Sequence, residues 1–363
     1  MADVHRIHRV ADRVVATVAE GHQVVVAVSA MGNTTSELLA LAQSVSPHPK
    51  RRELDLLISV GERVSMTLLA MAIQDRGVNA ASFTGSQSGI ITDENHVSAQ
   101  VLEVRPDRIR DAITSGNVAI VAGFQGMSRS REVTTLGRGG TDTTAVVLTA
   151  ALGADYCEIC SDVDGVYSAD PRVVPNAQKI NVLPLDAAIS MSRAGARVLL
   201  VDALEYARTH NITLHANATR SPVGQGTHLP PGETPSDIVA IASDKNLESF
   251  SISNLDEIPA SLKGATRHWF STSSGMTVLV DTQNLHDRSC LPASWVPQGP
   301  IATVSVIGRS VVRDPAMVHA AWAAARGPRD WWATADTWTA VVTPRESDAI
   351  SRDLHRSLIE LKP

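Results

Sequence analysis

The sequence predicts an α/β fold with a mainly parallel central sheet, followed by smaller α+β modules. Three observations lead there: continuous β-branched runs of the kind a doubly covered strand shows, helical apolar patterns alternating with them, and a change of texture past a Pro/Gly-rich linker. The chain has 363 residues, enough for two or three domains that each bury a core. Its 32 basic and 38 acidic residues give a net charge of -6. The arginines of Arg51-Arg52 and Arg105/Arg108/Arg110 are interspersed with acidic residues, as on a solvated face, so no nucleic-acid partner is expected. No signal peptide and no apolar run long enough to span a bilayer is evident, so the expectation is a cytoplasmic protein with no membrane partner.

Taken in order, Val4, Ile7, Val10, Ala11, Val14 and Val15 recur at helical spacing, and Val24–Val28 then reads as a buried strand. The alternation repeats three times: helix 65–76 before strand 80–84, helix 106–115 before strand 118–122, and helix 143–152 before strand 156–161. In such sheets ligands bind where loops leave the carboxyl ends of strands. Cys157 and Cys160 have C-x-x-C spacing, but no second Cys/His pair follows at zinc spacing. They read as small buried residues of a strand, and no protein metal site is expected. Residues 230–236 are turn-rich and divide a first domain, 1–229, from a second region, 237–363, where the tryptophans concentrate. That region predicts strands at 238–241, 249–252, 277–280, 303–306 and 337–342 and helices at 260–269, 316–325 and 346–358, with a second interruption over 291–300.

The run Thr134–Thr144 packs three glycines, Arg138, Asp142 and five hydroxyls into eleven residues ahead of an apolar helix. Glycines let backbone N–H groups approach an anion, and Arg138 can fork a carboxylate or phosphate; a Gly-rich turn capping a buried helix is the plainer reading. Four further loops carry polar residues beyond what a connector needs. Ser29–Thr35 follows the first strand and offers Ser29 and Thr35 to a phosphate or a substrate, or to helix capping. Glu62 lies in a helical pattern between Val60 and Val64, which reads as a partly buried functional carboxylate or as a surface ion pair. Gly123–Gly126 makes a glycine-flanked turn. Ser161, Asp162, Tyr167, Asp170, Pro171 and Arg172 offer the kinds of group that hold a nucleotide, although Asp-Gly and Asp-Pro are also ordinary turn formers.

The ordered motifs SAMGNTTSELL (29–39), LISVGERVS (57–65), SFTGSQSGI (82–90), VAGFQG (121–126), TTLGRGGTDTTA (134–145), CSDVDGVYSADPR (160–172) and GARVL (195–199) resemble those of aspartokinases, in the amino-acid kinase family, over roughly 2–229. Ile301–Gly308 and Thr334–Val342 resemble parts of that family's tandem ACT regulatory modules. The resemblance implies transfer of the γ-phosphoryl of ATP to the β-carboxylate of L-aspartate, with Mg2+ bridging phosphate oxygens. It implies that Ser29 touches the phosphates and that Thr34, Thr35, Glu62, Arg138 and Thr141 hold aspartate, Glu62 on its amine and Arg138 on a carboxylate. Gly139 and Gly140 would line the transfer point and Asp142 would orient the metal-bound phosphates. Ser161, Asp162, Tyr167, Asp170, Pro171, Arg172 and Arg197 would bind the nucleotide. A homo-oligomer joined through the ACT-like region is implied as well.

The departures from the family pattern are informative. Members open on a strand ending in Lys-Phe/Tyr-Gly-Gly-Thr/Ser-Ser, and the sequence begins at the Met1-Ala2-Asp3 that follows it, so the expected full protein carries one more strand upstream. A non-catalytic ligand-binding relative is the alternative that this departure raises. Arg197 stands where a lysine is usual, Asn217-Ala218-Thr219 replaces Arg-Ser-Ser, and the first ACT turn survives only as Asp256–Pro259.

Overall fold

The computed structural model describes residues 3–137, 139–196, 198–259, 262, 265–272, 275–282, 285 and 288–361. In chain order the first part comprises α1 (Val4–Ala19), β1 (Val25–Val28), α2 (Thr34–Val45), α3 (Arg51–Ile58), α4 (Val60–Gln74), β2 (Ala80–Phe83), β3 (Ile90–Thr92), β4 (Val101–Val104), α5 (Asp107–Thr114), β5 (Val118–Ala122), β6 (Gln125–Ser128), β7 (Val133–Thr135), α6 (Gly140–Leu152) and β8 (Cys157–Ser161). Then follow β9 (Val166–Tyr167), β10 (Lys179–Ile180), α7 (Leu185–Arg193), α8 (Val201–Thr209), β11 (Leu214–Ala218) and β12 (Thr227–Leu229). The last part comprises β13 (Ala240–Ile252), β14 (Thr266–Thr272), β15 (Gly275–Asp281), β16 (Val296–Ile307), α9 (Ser310–Arg313), α10 (Pro315–Ala324), β17 (Trp331–Ala333), β18 (Thr337–Val342) and α11 (Ser347–His355), which continues into a π-helical turn at Arg356–Glu360.

Packing divides these elements into two units, 1–165 with 202–231, and 166–201 with 232–363. In the first unit β1, β5 and β2 form a parallel sheet in that order, with Val28 beside Ala122 and Phe83 beside Val121. A second sheet has the order β12-β11-β8, its β11 and β8 parallel, and a mixed sheet has the order β4-β3-β6-β7. The β-branched runs account for the parallel strands, since all five residues of β5 are buried. One face of that sheet takes Ile7, Ala11 and Val14 of α1 with Met66, Leu69 and Ile73 of α4; the other takes Leu148 of α6 and Ile109 of α5. Asp3 caps α1 by accepting the Arg6 N–H at 2.8 Å. Arg13 of α1 donates to Glu158 of β8 at 2.6 Å and to the Ala218 carbonyl at 2.8 Å, tying that helix to the second sheet.

The continuous stretch Arg51–Gln74 is long and apolar enough to cross a membrane by length and composition, which corrects the sequence expectation on that point. It is a core element here: over half of the apolar window is buried, and it carries the buried carboxylates Asp55 and Glu62. C-x-x-C spacing on β8 puts the two cysteines on opposite faces, because strand side chains alternate. Cys157 is buried, which pushes its thiol up to about 12, whereas Cys160 is exposed, contrary to the expectation for both.

In the second unit a six-stranded antiparallel sheet has the order β14-β15-β13-β16-β18-β17. Three expectations are corrected there. The helix expected over 260–269 gives way to β14 from Thr266, where Trp269, Phe270 and Thr272 favour a strand; 260, 261, 263 and 264 lie outside the described residues. The strands expected at 238–241 and 249–252 are one strand, β13, with irregular register between Asp244 and Leu247. The interruption expected at 291–300 is entered by β16, whose Pro297 and Pro300 pair only with β13, because β18 begins its pairing at Ala302. A strand free on one side tolerates a missing N–H.

One face of this sheet is covered by α10 and α11 around the fully buried Trp338, with Ile241, Val304, Val306, Ala321, Ile350 and Leu354. Ala169 and Val174 belong to the same cluster, which explains why residues 166–201 pack with this unit. Trp338→Ala is expected to cost the C-terminal unit about 3–5 kcal/mol. Urea unfolding followed by far-UV circular dichroism measures this, and a loss below about 1 kcal/mol would show that the core is centred elsewhere.

Candidate active site

The candidate site of the first unit gathers at the carboxyl ends of β1 and β5. These ends are adjacent, since the Gly123 N–H donates to the Val28 carbonyl at 3.0 Å. Ser29, the first residue past β1, donates its hydroxyl to Thr141 Oγ1 at 2.9 Å. A Cβ on Gly123 would lie 2.7 Å from the Thr141 side chain, so glycine is what lets β5 end directly against α6. The loop after β2 closes on the same region, with Gly85 pressed against the Gln125 carbonyl.

The α6 N-terminus follows from its glycines. Gly137 and Gly139 have φ of 75° and 73°, a region costly for other residues, and no side chain caps the helix. The Gly140 and Asp142 N–H groups bond the Gly137 and Gly139 carbonyls at 3.1 and 3.0 Å, so what this end offers an anion is chiefly the positive end of the helix dipole. The helix starts at Gly140, three residues before the predicted start, so Thr141 and Asp142 lie in its first turn rather than in the loop. Asp142 is half-buried, has no side-chain hydrogen bond among the described residues, and desolvation pushes its carboxyl up to about 6.

Glu62 is 3% exposed in the first turn of α4. Its Oε1 accepts the Ala30 N–H at 3.1 Å, an approach that Gly61 permits, because a Cβ there would lie 2.7 Å from Ala30 Cβ. Its Oε2 is buried with no partner among the described residues, and desolvation raises its pKa. The burial read from the sequence holds for a different reason from the one given. Val60 and Val64 are exposed, while Glu62 shares a helix face with Ser65, Met66, Leu69 and Ile73, three, four, seven and eleven residues on.

Other expected residues are placed as follows. The Thr34 hydroxyl donates to the Met31 carbonyl at 2.6 Å, a local use at the start of α2. Thr35 is half-buried, and no side-chain hydrogen bond is recorded for it among the described residues. Ser161 ends β8 and exchanges hydrogen bonds with the Val163 backbone at 3.0 and 3.1 Å; Asp162 follows, exposed. In the second unit Tyr167 lies in β9. There Asp170 accepts from Arg172 at 2.8 Å and is held below the usual carboxylate range by that guanidinium, and Pro171 is exposed between them. Arg138 and Arg197 lie outside the described residues.

Sequence reading missed the groups that hold this site in shape. Asp55 of α3 is fully buried and accepts from Thr135 Oγ1 at 2.5 Å and from the Val97 N–H at 3.0 Å, with His96 Nδ1 at 2.5 Å. The Ala99 N–H donates to the Thr135 carbonyl at 2.9 Å. Gln125 links the Ser59 carbonyl, at 3.0 Å, to Arg63. Asp55 sits in a charged stretch that reads as surface, and only the apolar spacing of its neighbours could have marked it. Asn217, noted as a departure, is buried and donates to Glu158 at 2.8 Å. Among the described residues no group of three or more His, Cys, Asp or Glu side chains could hold a metal ion by itself.

A glycine-shaped turn and two perturbed carboxylates in the first turns of α4 and α6, set beside the ends of parallel strands, mark this region as the candidate ligand site. The chain belongs to the amino acid kinase family, whose model matches residues 1–215. It is 49% identical over 266 residues to the aspartokinase of Mycobacterium tuberculosis, covering 71% of this chain and 63% of that one. It is also 52% identical over 222 residues to the aspartokinase of Corynebacterium glutamicum, covering 61% and 53%. The chain thus spans less than two thirds of the length of these curated relatives. The fold matches the crystal structure of E. coli aspartokinase III in complex with aspartate and ADP, with a TM-score of 0.83, 21% identity, and coverage of 98% and 97%.

Burial of Asp142 has a measurable consequence. Its folded pKa lies above the ordinary aspartate value of 3.8, so the ionised form is disfavoured by folding, and stability falls as pH rises from about 4 to about 6. Asp142→Asn should therefore stabilise the ligand-free protein at pH 8, by on the order of 2–3 kcal/mol, with no gain below pH 4. Thermal unfolding at the two pH values tests this, and an equal gain at both would refute it.

Proposed function

We propose that the chain is an aspartate kinase, moving the γ-phosphoryl group of ATP to the β-carboxylate of L-aspartate. The observation that carries this reading is Glu62, a buried carboxylate with one oxygen unpartnered among the described residues. A buried acceptor in want of donors fits a ligand ammonium group, which would also keep Glu62 ionised. The identity to relatives named aspartokinase supports the choice of amino acid. Arg138 and Thr141 would hold the aspartate carboxylates, with the α2 start at Thr34 and Thr35 closing the subsite. As the Thr34 hydroxyl is engaged with Met31, that residue would contribute through its backbone or its methyl group.

In this reading the β-carboxylate oxygen attacks the γ-phosphorus while the bond to the ADP oxygen breaks, giving 4-phospho-L-aspartate and ADP. No proton moves, because a carboxylate is already a nucleophile at neutral pH. The task is to bring anions together and offset their charge. Ser29, Gly139, Gly140 and the open α6 N-terminus would meet the transferring phosphoryl group. Asp142 has no side-chain hydrogen bond among the described residues, and desolvation raises its pKa, which fits a carboxylate facing the Mg2+ of a nucleotide. When bound, that ion would neutralise phosphate charge. Ser161, Asp162, Tyr167, Asp170, Pro171, Arg172 and Arg197 would hold the nucleotide. ATP as donor fits a cytoplasmic enzyme. A homo-oligomer assembled through the C-terminal unit, whose sheet ends in the edge strands β14 and β17, completes the reading.

Hydroxylamine trapping of acyl phosphate from ATP and L-aspartate tests the activity directly, and no hydroxamate from the full chain would overturn it. Glu62→Gln should raise the KM for aspartate roughly 10- to 150-fold while leaving that for ATP within about twofold. A parallel rise in both would remove Glu62 from the aspartate subsite.

A further inference from the structure

Ser168 lies inside the segment that carries Tyr167, Asp170, Pro171 and Arg172, and all of its polar atoms are engaged. Its N–H donates to the Gln178 carbonyl at 2.8 Å, its carbonyl accepts the Ile241 N–H at 2.8 Å, and its Oγ accepts the Gln178 N–H at 2.9 Å. The same Oγ lies 2.8 Å from Nε2 of His355, the last residue of α11, which is fully buried. His355 Nδ1 lies 2.9 Å from Oε1 of Glu360.

These partners define one directed chain. With the ring proton on Nδ1, the Ser168 hydroxyl, already accepting from Gln178, would donate to Nε2 and Nδ1–H would donate to Glu360. Without the Glu360 acceptor, the buried Nδ1–H would lose its partner. Moving the proton to Nε2 would then leave the Ser168 hydroxyl facing a donor.

The backbone at the end of α11 is built for this contact. Residues five apart lie about 140° apart around an α-helix of 3.6 residues per turn, so Glu360 would point away from His355. The turn at Arg356–Glu360 is π-helical, with Leu361 N–H bonding the Arg356 carbonyl at 3.0 Å, and this wider turn returns Glu360 to the His355 face. Ile350 and Leu354 anchor the helix in the core around Trp338. The 168–178 loop is thereby hung on α11, a link reinforced by Arg352 donating to the Val173 carbonyl at 3.4 Å.

We propose that Ser168, His355 and Glu360 form a positioning relay through which the last turns of the chain set the shape of the nucleotide-holding segment around Tyr167–Arg172. The proposal rests on the assignment of that segment to ATP made above. Ser168 is 4% exposed, so it acts through the loop and not as a nucleophile.

The test compares Ser168→Ala, Glu360→Ala and Glu360→Gln in the full chain, by steady-state kinetics and by direct titration with a fluorescent ATP analogue. Loss of one hydrogen bond in the relay should weaken ATP about fivefold, in KM and in Kd, with the KM for aspartate unchanged within twofold. Glu360→Gln keeps an oxygen acceptor for Nδ1–H and should restore ATP affinity to within twofold of the parent. Unchanged ATP affinity in both alanine variants overturns the relay. So does a proportional loss for both substrates that follows the thermal stability. If the parent binds the nucleotide but forms no hydroxamate, the aspartate reading fails while the titration still decides the relay. If the parent binds no nucleotide, both fail.

Discussion

The carboxylate of Asp55 is the constraint on which the shape of the first unit's site depends. It sits without solvent exposure in α3 and collects donors from two other segments, the 96–97 turn and β7. Val97 is β-branched and held at φ 74°, a conformation such residues resist, and its N–H is among those donors. Its carbonyl in turn crowds the place where a Cβ on Gly137 would lie, at 3.3 Å. The glycine turn ahead of α6 thus packs against the segment that Asp55 holds, at a point where a side chain would be crowded. Its own sequence permits the conformation and does not dictate it.

Around this frame the unit concentrates groups whose charge is uncomfortable in the ligand-free state. Glu62 and Asp142 are both shifted toward the protonated form by desolvation, and the open end of α6 offers dipoles with no capping side chain. Such arrangements persist when a ligand supplies the missing counter-charges. A zwitterion with an added carboxylate, together with a metal-bridged polyphosphate, supplies both signs. That is the physical sense in which the site and the proposed reaction fit each other.

Much of this was legible in the sequence. The four strands read in the first unit lie within one residue of their expected ends, and the signal is plainest for β5, which is buried along its whole length. The candidate loops were visible because Gly, Ser and Asp cluster where strands end. What stayed hidden depends on distant chain segments. Asp55 reads as part of a charged helix start until Thr135, eighty residues on, is brought to it. His355 falls inside the helix expected at 346–358 and Glu360 beyond its end, so no local pattern pairs them until the turn widens. Residues 260–269 show the ambiguity of short aromatic stretches, which suit either period. The assignment of residues 166–201 to the second unit follows from Ala169 and Val174, two small apolar residues among polar neighbours, whose destination no local pattern announces.

The C-terminal sheet has a further mechanical implication. β13 and β16 run its full length, with β14 and β15 attached along one end of the pair and β17 and β18 along the other. Two modules that look separable in sequence therefore share their central staves. A shear applied to the β15 side must travel along β13 and β16 as a change of twist, and it arrives under α10 and α11 without crossing any linker. The two halves are joined by continuous strands, with no linker between them to act as a hinge.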